Sequence, residues 1–157
     1  MRVLFASPAP PRPLTTGTRV RLNHLMKGLS RRGHELGLVA LAYQGDVEAM
    51  KDCDISFRDL CLLRIRRKGE GRPSLRQMGM RRLWRVLRLL LGGIPPRLAL
   101  TYRPDVEAEI LRRVPDYDVV FVEVSFMALN LHPSLWKREP NPLILVEHDI
   151  SFIPLKR

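Results

Sequence analysis

The chain has 157 residues, 45% of them hydrophobic, and a net charge of +11, a length that suits one domain with a core of its own. No run of about 18 apolar residues occurs, which excludes a simple membrane-spanning helix, and two isolated cysteines, Cys53 and Cys61, lack the C-x-x-C or Cys/His spacing of a zinc site. Prolines interrupt the N-terminus after a few apolar residues, against a signal peptide, so a reduced, cytoplasmic protein is expected.

The apolar run Val3-Leu4-Phe5-Ala6 predicts a strand, stopped at Ser7-Pro8 because proline cannot donate to a ladder and restricts the residue before it. A Pro-rich loop carrying Thr16-Gly17-Thr18 follows. Leu22, Leu25, Met26 and Leu29 then recur at i, i+3, i+4 and i+7, one stripe of a helix, with Arg21, Lys27, Arg31 and Arg32 mostly off it. Thr18 is the expected N-cap and Gly33 the expected left-handed residue after the helix. Glu35 to Leu41 reads as a second strand, with so little alternation that both faces should be covered.

Gly45, Asp46, Asp52 and Asp54 surround a short helical patch, Val47 to Lys51, and Leu60 to Ile65 reads as a third strand. The charge is concentrated here: Arg58 to Arg97 holds twelve basic residues against Asp59 and Glu70. Such a field favours an anionic partner; a genome-wide bias towards arginine is the plain alternative, since only five of the 27 basic residues are lysines. From Ser74 a long helix is expected, with Met80, Leu83, Trp84, Leu87, Leu90 and Leu91 on one face and Arg81, Arg85 and Arg88 on another. Gly92-Gly93-Ile94-Pro95-Pro96 should stop it.

Pro104 to Arg113 predicts a helix with Val106, Ile110 and Leu111 inward, acids in its first turn and Arg112-Arg113 in its last, as the helix dipole favours. Val119 to Val124 and Leu143 to Glu147 read as strands. Strands alternating with helices imply right-handed crossovers, hence an α/β fold with a Rossmann-like, doubly wound parallel sheet. Val3 to Ala6 should be central in it.

The connected order resembles the N-terminal domain of glycosyltransferases with the two-Rossmann-domain GT-B fold, in particular the family 4 retaining sugar transferases. Carrying the resemblance are Pro8-Ala9-Pro10-Pro11, Gly17-Thr18-Arg19-Val20-Arg21 and Leu29-Ser30-Arg31-Arg32-Gly33-His34-Glu35-Leu36, then Asp116 to Glu123 and Leu145 to Ile150. Where many members carry Gly-Gly, this chain has Thr16-Gly17. The resemblance covers nearly all 157 residues at the level of elements. It implies the acceptor-side half of a metal-free, retaining transferase, with a nucleotide sugar as donor substrate and a sugar or lipid-linked acceptor. The donor nucleotide is then held mainly by a second domain, including an acidic pair spaced E-x7-E, and that domain is expected to be missing here. One truncated GT-B half, incomplete at its C-terminus and inactive alone, is therefore expected, with no cofactor assigned to the chain itself.

Several residues are candidates for the site. Gly17 lets the backbone approach a sugar or diphosphate, or merely serves a turn. Arg19 and Arg21 sit at a helix start where the dipole disfavours cations, so either an anionic ligand lies near them or both are solvated. His148 should stand at the carboxyl edge of the sheet, where open α/β folds bind ligands. The resemblance implies that it contacts the transferred sugar; a hydrogen-bonded strand-end histidine is the alternative. Asp149 is a candidate acceptor or a helix N-cap, and Glu123 a partner for an acceptor hydroxyl or a satisfied sheet-edge carboxylate. His34 is assigned to a turn.

The rival function is a non-catalytic basic module. Arg81, Trp84, Arg85 and Arg88 on an amphipathic helix suit an anionic membrane surface, and peripheral attachment at the inner face of the membrane is expected of it. Nucleic acid is disfavoured because only Trp84 interleaves with the arginines.

Overall fold

A computed structural model describes residues 1–65, 102–128, 130–131 and 142–146. The described elements run β1 (Arg2–Ser7), α1 (Gly17–Arg31), β2 (Glu35–Ala42), α2 (Gln44–Ala49), a 3-10 turn (Met50–Asp52) and β3 (Asp59–Arg64). After the basic segment come α3 (Pro104–Arg113), a second 3-10 turn (Val114–Asp116), β4 (Val119–Glu123), α4 (Ser125–Ala128) and β5 (Leu143–Val146).

The strands form one all-parallel sheet in the order β3-β2-β1-β4-β5. Val3 pairs with Leu36 on one side of β1 and with Val119 on the other, which places the first strand at the centre as its apolar character predicts. Because the chain first winds outward through β2 and β3 and then starts again on the other side with β4, the order reverses between β1 and β4. In open α/β sheets such a reversal is where a crevice for ligands forms, outside the carboxyl ends of the two strands.

Alternation along the strands sorts the core into two layers. Val3, Phe5, Leu36, Leu38 and Ala40 face α1, packing with Leu22, Met26, Met50 and Ile55. Leu4, Ala6, Val39, Val120 and Val122 face α3, packing with Val106, Ile110 and Val114. Phe5 and Leu4 are fully buried, one towards each layer, and each contributes about 1.5–3 kcal/mol relative to an exposed position. Phe5 also stacks on Phe121 of β4, centroids 5.1 Å apart, so the reversal point is held by packing as well as by the ladder.

Two glycines explain local geometry. Gly33, at φ 79°, takes the left-handed conformation that ends α1. A Cβ at Gly37 would lie 2.7 Å from Cε1 of Tyr117 and nearer still to Cζ and the hydroxyl. The buried Tyr117 ring occupies the space a side chain on β2 would need.

Helix boundaries correct the sequence expectation in two places. The N-cap of α1 is Thr16, not Thr18: the Thr16 hydroxyl accepts from the backbone N–H of Arg19 at 3.4 Å, and Gly17 and Thr18 are already helical. The patch expected over Val47 to Lys51 begins earlier, at Gln44, because the Asp46 carboxylate accepts the Tyr43 N–H at 2.9 Å and draws the chain into a turn there. The helix expected from Ser74 to Leu91 lies outside the described residues.

Candidate functional site at the carboxyl edge

β1 ends in Ser7 and β4 in Glu123, one residue past the last registered pair, Ala6 and Val122. Both side chains alternate onto the α1 face of the sheet and both are 0% exposed. The Ser7 hydroxyl donates to Ala9 O at 2.7 Å, which folds the Pro-rich loop back over the strand end. The Glu123 carboxylate pairs with the guanidinium of Arg21 from the first two turns of α1.

That pair spans from the start of α1 to the strand end where the order reverses. A carboxylate out of water is costly to keep ionised, and an arginine within hydrogen-bond reach offsets much of that cost. Arg21 is 38% exposed while Glu123 is enclosed, so the cationic end of the pair faces solvent. Glu123 is therefore a satisfied, enclosed carboxylate at the strand end, and Arg21 is the member of the pair that reaches solvent.

Val124, immediately after Glu123, has φ 64°, where a β-branched side chain is strained. Its N–H nevertheless donates to Val146 O at 2.8 Å, and its carbonyl accepts from Met127 N at 3.0 Å. The sharp turn therefore ends β4 abruptly and ties its tip to the tip of β5. Strain of this kind is held only where the surrounding contacts over-determine it.

The other side of α1 is fixed separately. Arg19 donates to Asp46 Oδ1 at 2.7 Å and to Arg12 O at 2.9 Å, with both side chains of the ion pair nearly buried. Lys27 pairs with Asp54, which Arg12 also approaches at 3.5 Å. Arg19, Asn23 and Lys27 form an i, i+4, i+8 row facing this seam, and the Asn23 Oδ1 is buried without a hydrogen-bond partner among the described residues. The anions beside Arg19 and Arg21 thus belong to the chain itself.

Gly17 is the first residue of α1, exposed, and a Cβ there would meet nothing within 4 Å. Open space beside a helix start leaves room for a ligand at the same edge as Glu123. His148 and Asp149 lie outside the described residues; the chain leaves β5 at Val146, on that edge. Arg81, Trp84, Arg85 and Arg88 also lie outside them. His34 sits between α1 and β2, where its N–H donates to Leu29 O at 3.2 Å.

No protein-family model matches the chain, and no curated protein matches it either. Among the described residues no group of three or more His, Cys, Asp or Glu side chains could hold a metal ion, and no described helix is long and apolar enough to cross a membrane.

Three participants escaped the sequence reading. Ser7 read only as a strand terminator, Asp46 lies 27 residues from Arg19 with no local pattern joining them, and a positive φ at valine runs against its usual preference. Away from the edge, Arg113 of α3 binds Asp59 at 2.5 Å and also pairs with Glu109. Cys61 lies beside Glu109, at 3.8 Å, and burial pushes its thiol pKa up. A thiol held protonated is a poor nucleophile or metal ligand.

Proposed function

We propose that the chain is the acceptor-side Rossmann-like domain of a retaining glycosyltransferase that uses a nucleotide sugar, working with a donor-binding domain. The observation that carries this reading is the Arg21–Glu123 pair, placed at the carboxyl ends of β1 and β4 where the strand order reverses. In this reading Arg21, partly exposed, attracts negative charge at the strand ends, the enclosed Glu123 acts as a positioning residue that fixes the arginine, and Gly17 leaves the opening clear. Arg19 acts as a positioning residue, holding the start of α1 against Asp46. His148, two positions after β5 in sequence, is proposed to contact the transferred sugar, with Asp149 as a candidate for the acceptor.

The resemblance of the connected motifs supports the reaction class, and the reversal of strand order supports the choice of edge. The test is transfer from a nucleotide sugar by the chain joined to a donor-binding domain. Glu123→Gln and His148→Ala should each lower turnover at least tenfold while the folded fraction stays unchanged. Transfer at the wild-type rate by both variants would remove the site assignment.

A further inference from the structure

The seam beside α1 holds two buried polar atoms that its ion pairs leave over. Asn23 is 2% exposed, and its Oδ1 is buried without a hydrogen-bond partner among the described residues. Arg12 Nε, from the Pro-rich loop, is buried in the same condition. One atom accepts and the other donates. Leaving both dry would cost the full desolvation of each, which native structures avoid.

The ion pairs bring these atoms over the same stretch of helix. Arg12 O accepts from Arg19 Nη1 at 2.9 Å, which fixes the main chain of Arg12 at the N-terminal end of the row Arg19, Asn23, Lys27. The far end of the Arg12 side chain approaches Asp54 Oδ1 at 3.5 Å through Nη2, and Asp54 also binds Lys27. Side chains on a helix lean towards its N-terminus, so the Lys27 ammonium lies over the turn that Asn23 occupies. The Arg12 side chain is therefore strung along the row, with Nε between its two anchors and above Asn23. Neither atom bonds the other directly.

The chemistry of the pair selects what joins them. An anion would be held by the guanidinium N–H but repelled by a carboxamide oxygen, and a cation the reverse. Water both accepts and donates, and it needs only a few polar partners to be held inside a protein. We infer that one buried water molecule bridges Arg12 and Asn23, accepting from Nε–H and donating to Oδ1. The loop that leaves the carboxyl edge of β1 is then held along the helix through Arg19, through the water and through the Asp54–Lys27 pair. The bridge also accounts for an asparagine at a buried helical position, where such a side chain otherwise competes with the backbone. It is independent of the sugar-transfer reading.

The experiment is water-selective nuclear Overhauser spectroscopy of the full chain with nitrogen-labelled arginine side chains. The Arg12 Nε–H should show a cross-peak of the sign given by a long-lived bound water, and should exchange with solvent roughly tenfold or more slowly than that of the exposed Arg31. Asn23→Gln is one methylene longer, enough to put its carboxamide where the water sits; it should abolish the cross-peak and keep the slow exchange through a direct bond. Asn23→Leu removes the acceptor and should lose both, and if it fails to fold the wild-type and Asn23→Gln spectra decide. The proposal is overturned by wild-type exchange as fast as at Arg31, by slow exchange without a water cross-peak, or by a cross-peak that persists in either variant. Protection that rises with chloride concentration would put an anion in the site and overturn it too.

Discussion

Arg21 and Glu123 lie 102 positions apart in sequence and meet where the strand order reverses. The pair joins the start of α1 to the tip of β4. Its asymmetry gives a prediction: Arg21→Ala leaves an enclosed carboxylate without its cation, whereas Glu123→Gln removes the charge that needs one. Arg21→Ala should destabilise by on the order of 2 kcal/mol, below the ~3–5 kcal/mol of a fully buried pair because the arginine is 38% exposed. Glu123→Gln should cost about 1 kcal/mol or less. Urea unfolding of the two variants measures both, and an equal or reversed order would contradict the asymmetry.

Gly37→Ala should destabilise by about 1–3 kcal/mol, an overpacking cost, because the new methyl group meets the Tyr117 ring, which is buried and rigid. Tyr117→Ala in the same chain should make Gly37→Ala nearly neutral, since the ring that blocks it is gone. A double-mutant cycle by thermal unfolding checks this, and strictly additive losses would argue against the contact.

At Val124 the expected effect is unusual for a half-buried valine. Val124→Gly loses packing but relieves the φ of 64°, so the two terms should nearly cancel and leave stability within about 1 kcal/mol of wild type. Val124→Pro removes the N–H bonded to Val146 O and forces φ negative, and should cost about 3 kcal/mol or more. Comparison of the two unfolding midpoints tests the turn.

Acid should weaken the fold at the amino edge and beneath α3. The backbone N–H of Arg2, followed by its guanidinium, lowers the Asp118 pKa, and the Arg113 guanidinium lowers that of Glu109. For a carboxylate whose folded pKa is depressed, the stabilisation is complete above the unfolded value, near pH 4, and is lost as pH falls through the folded value. Stability followed by denaturant from pH 7 downward should therefore hold to about pH 5 and decline below about pH 4. In Asp118→Asn that decline should be shallower.

Much of the fold was legible because local physics dictated it. Pro104 at the start, the acids after it and Arg112-Arg113 at the end delimit α3 as Pro104–Arg113, as expected from sequence, and the apolar runs locate all five described strands to within a residue or so. The site was legible only in part. The helix dipole left two readings of Arg19 and Arg21, an anionic ligand nearby or two solvated side chains; the structure instead pairs them with Asp46 and Glu123, brought in by the sheet topology and invisible to any spacing rule. The N-cap slipped from Thr18 to Thr16 because Thr-Gly-Thr offers two hydroxyls, and the chain uses the one that places Gly17 inside the helix.

The proposed binding of a sugar acceptor at the carboxyl ends of β1 and β4 is measured by amide chemical-shift mapping of the chain during titration with a panel of simple glycosides and a lipid-phosphate sugar. Binding there should give saturable shifts at Ser7, Gly17, Arg21 and Val124 that Glu123→Gln weakens by releasing Arg21. Shifts confined to the amino edge at Arg2, Glu35 and Asp118, or none at any concentration, would contradict it.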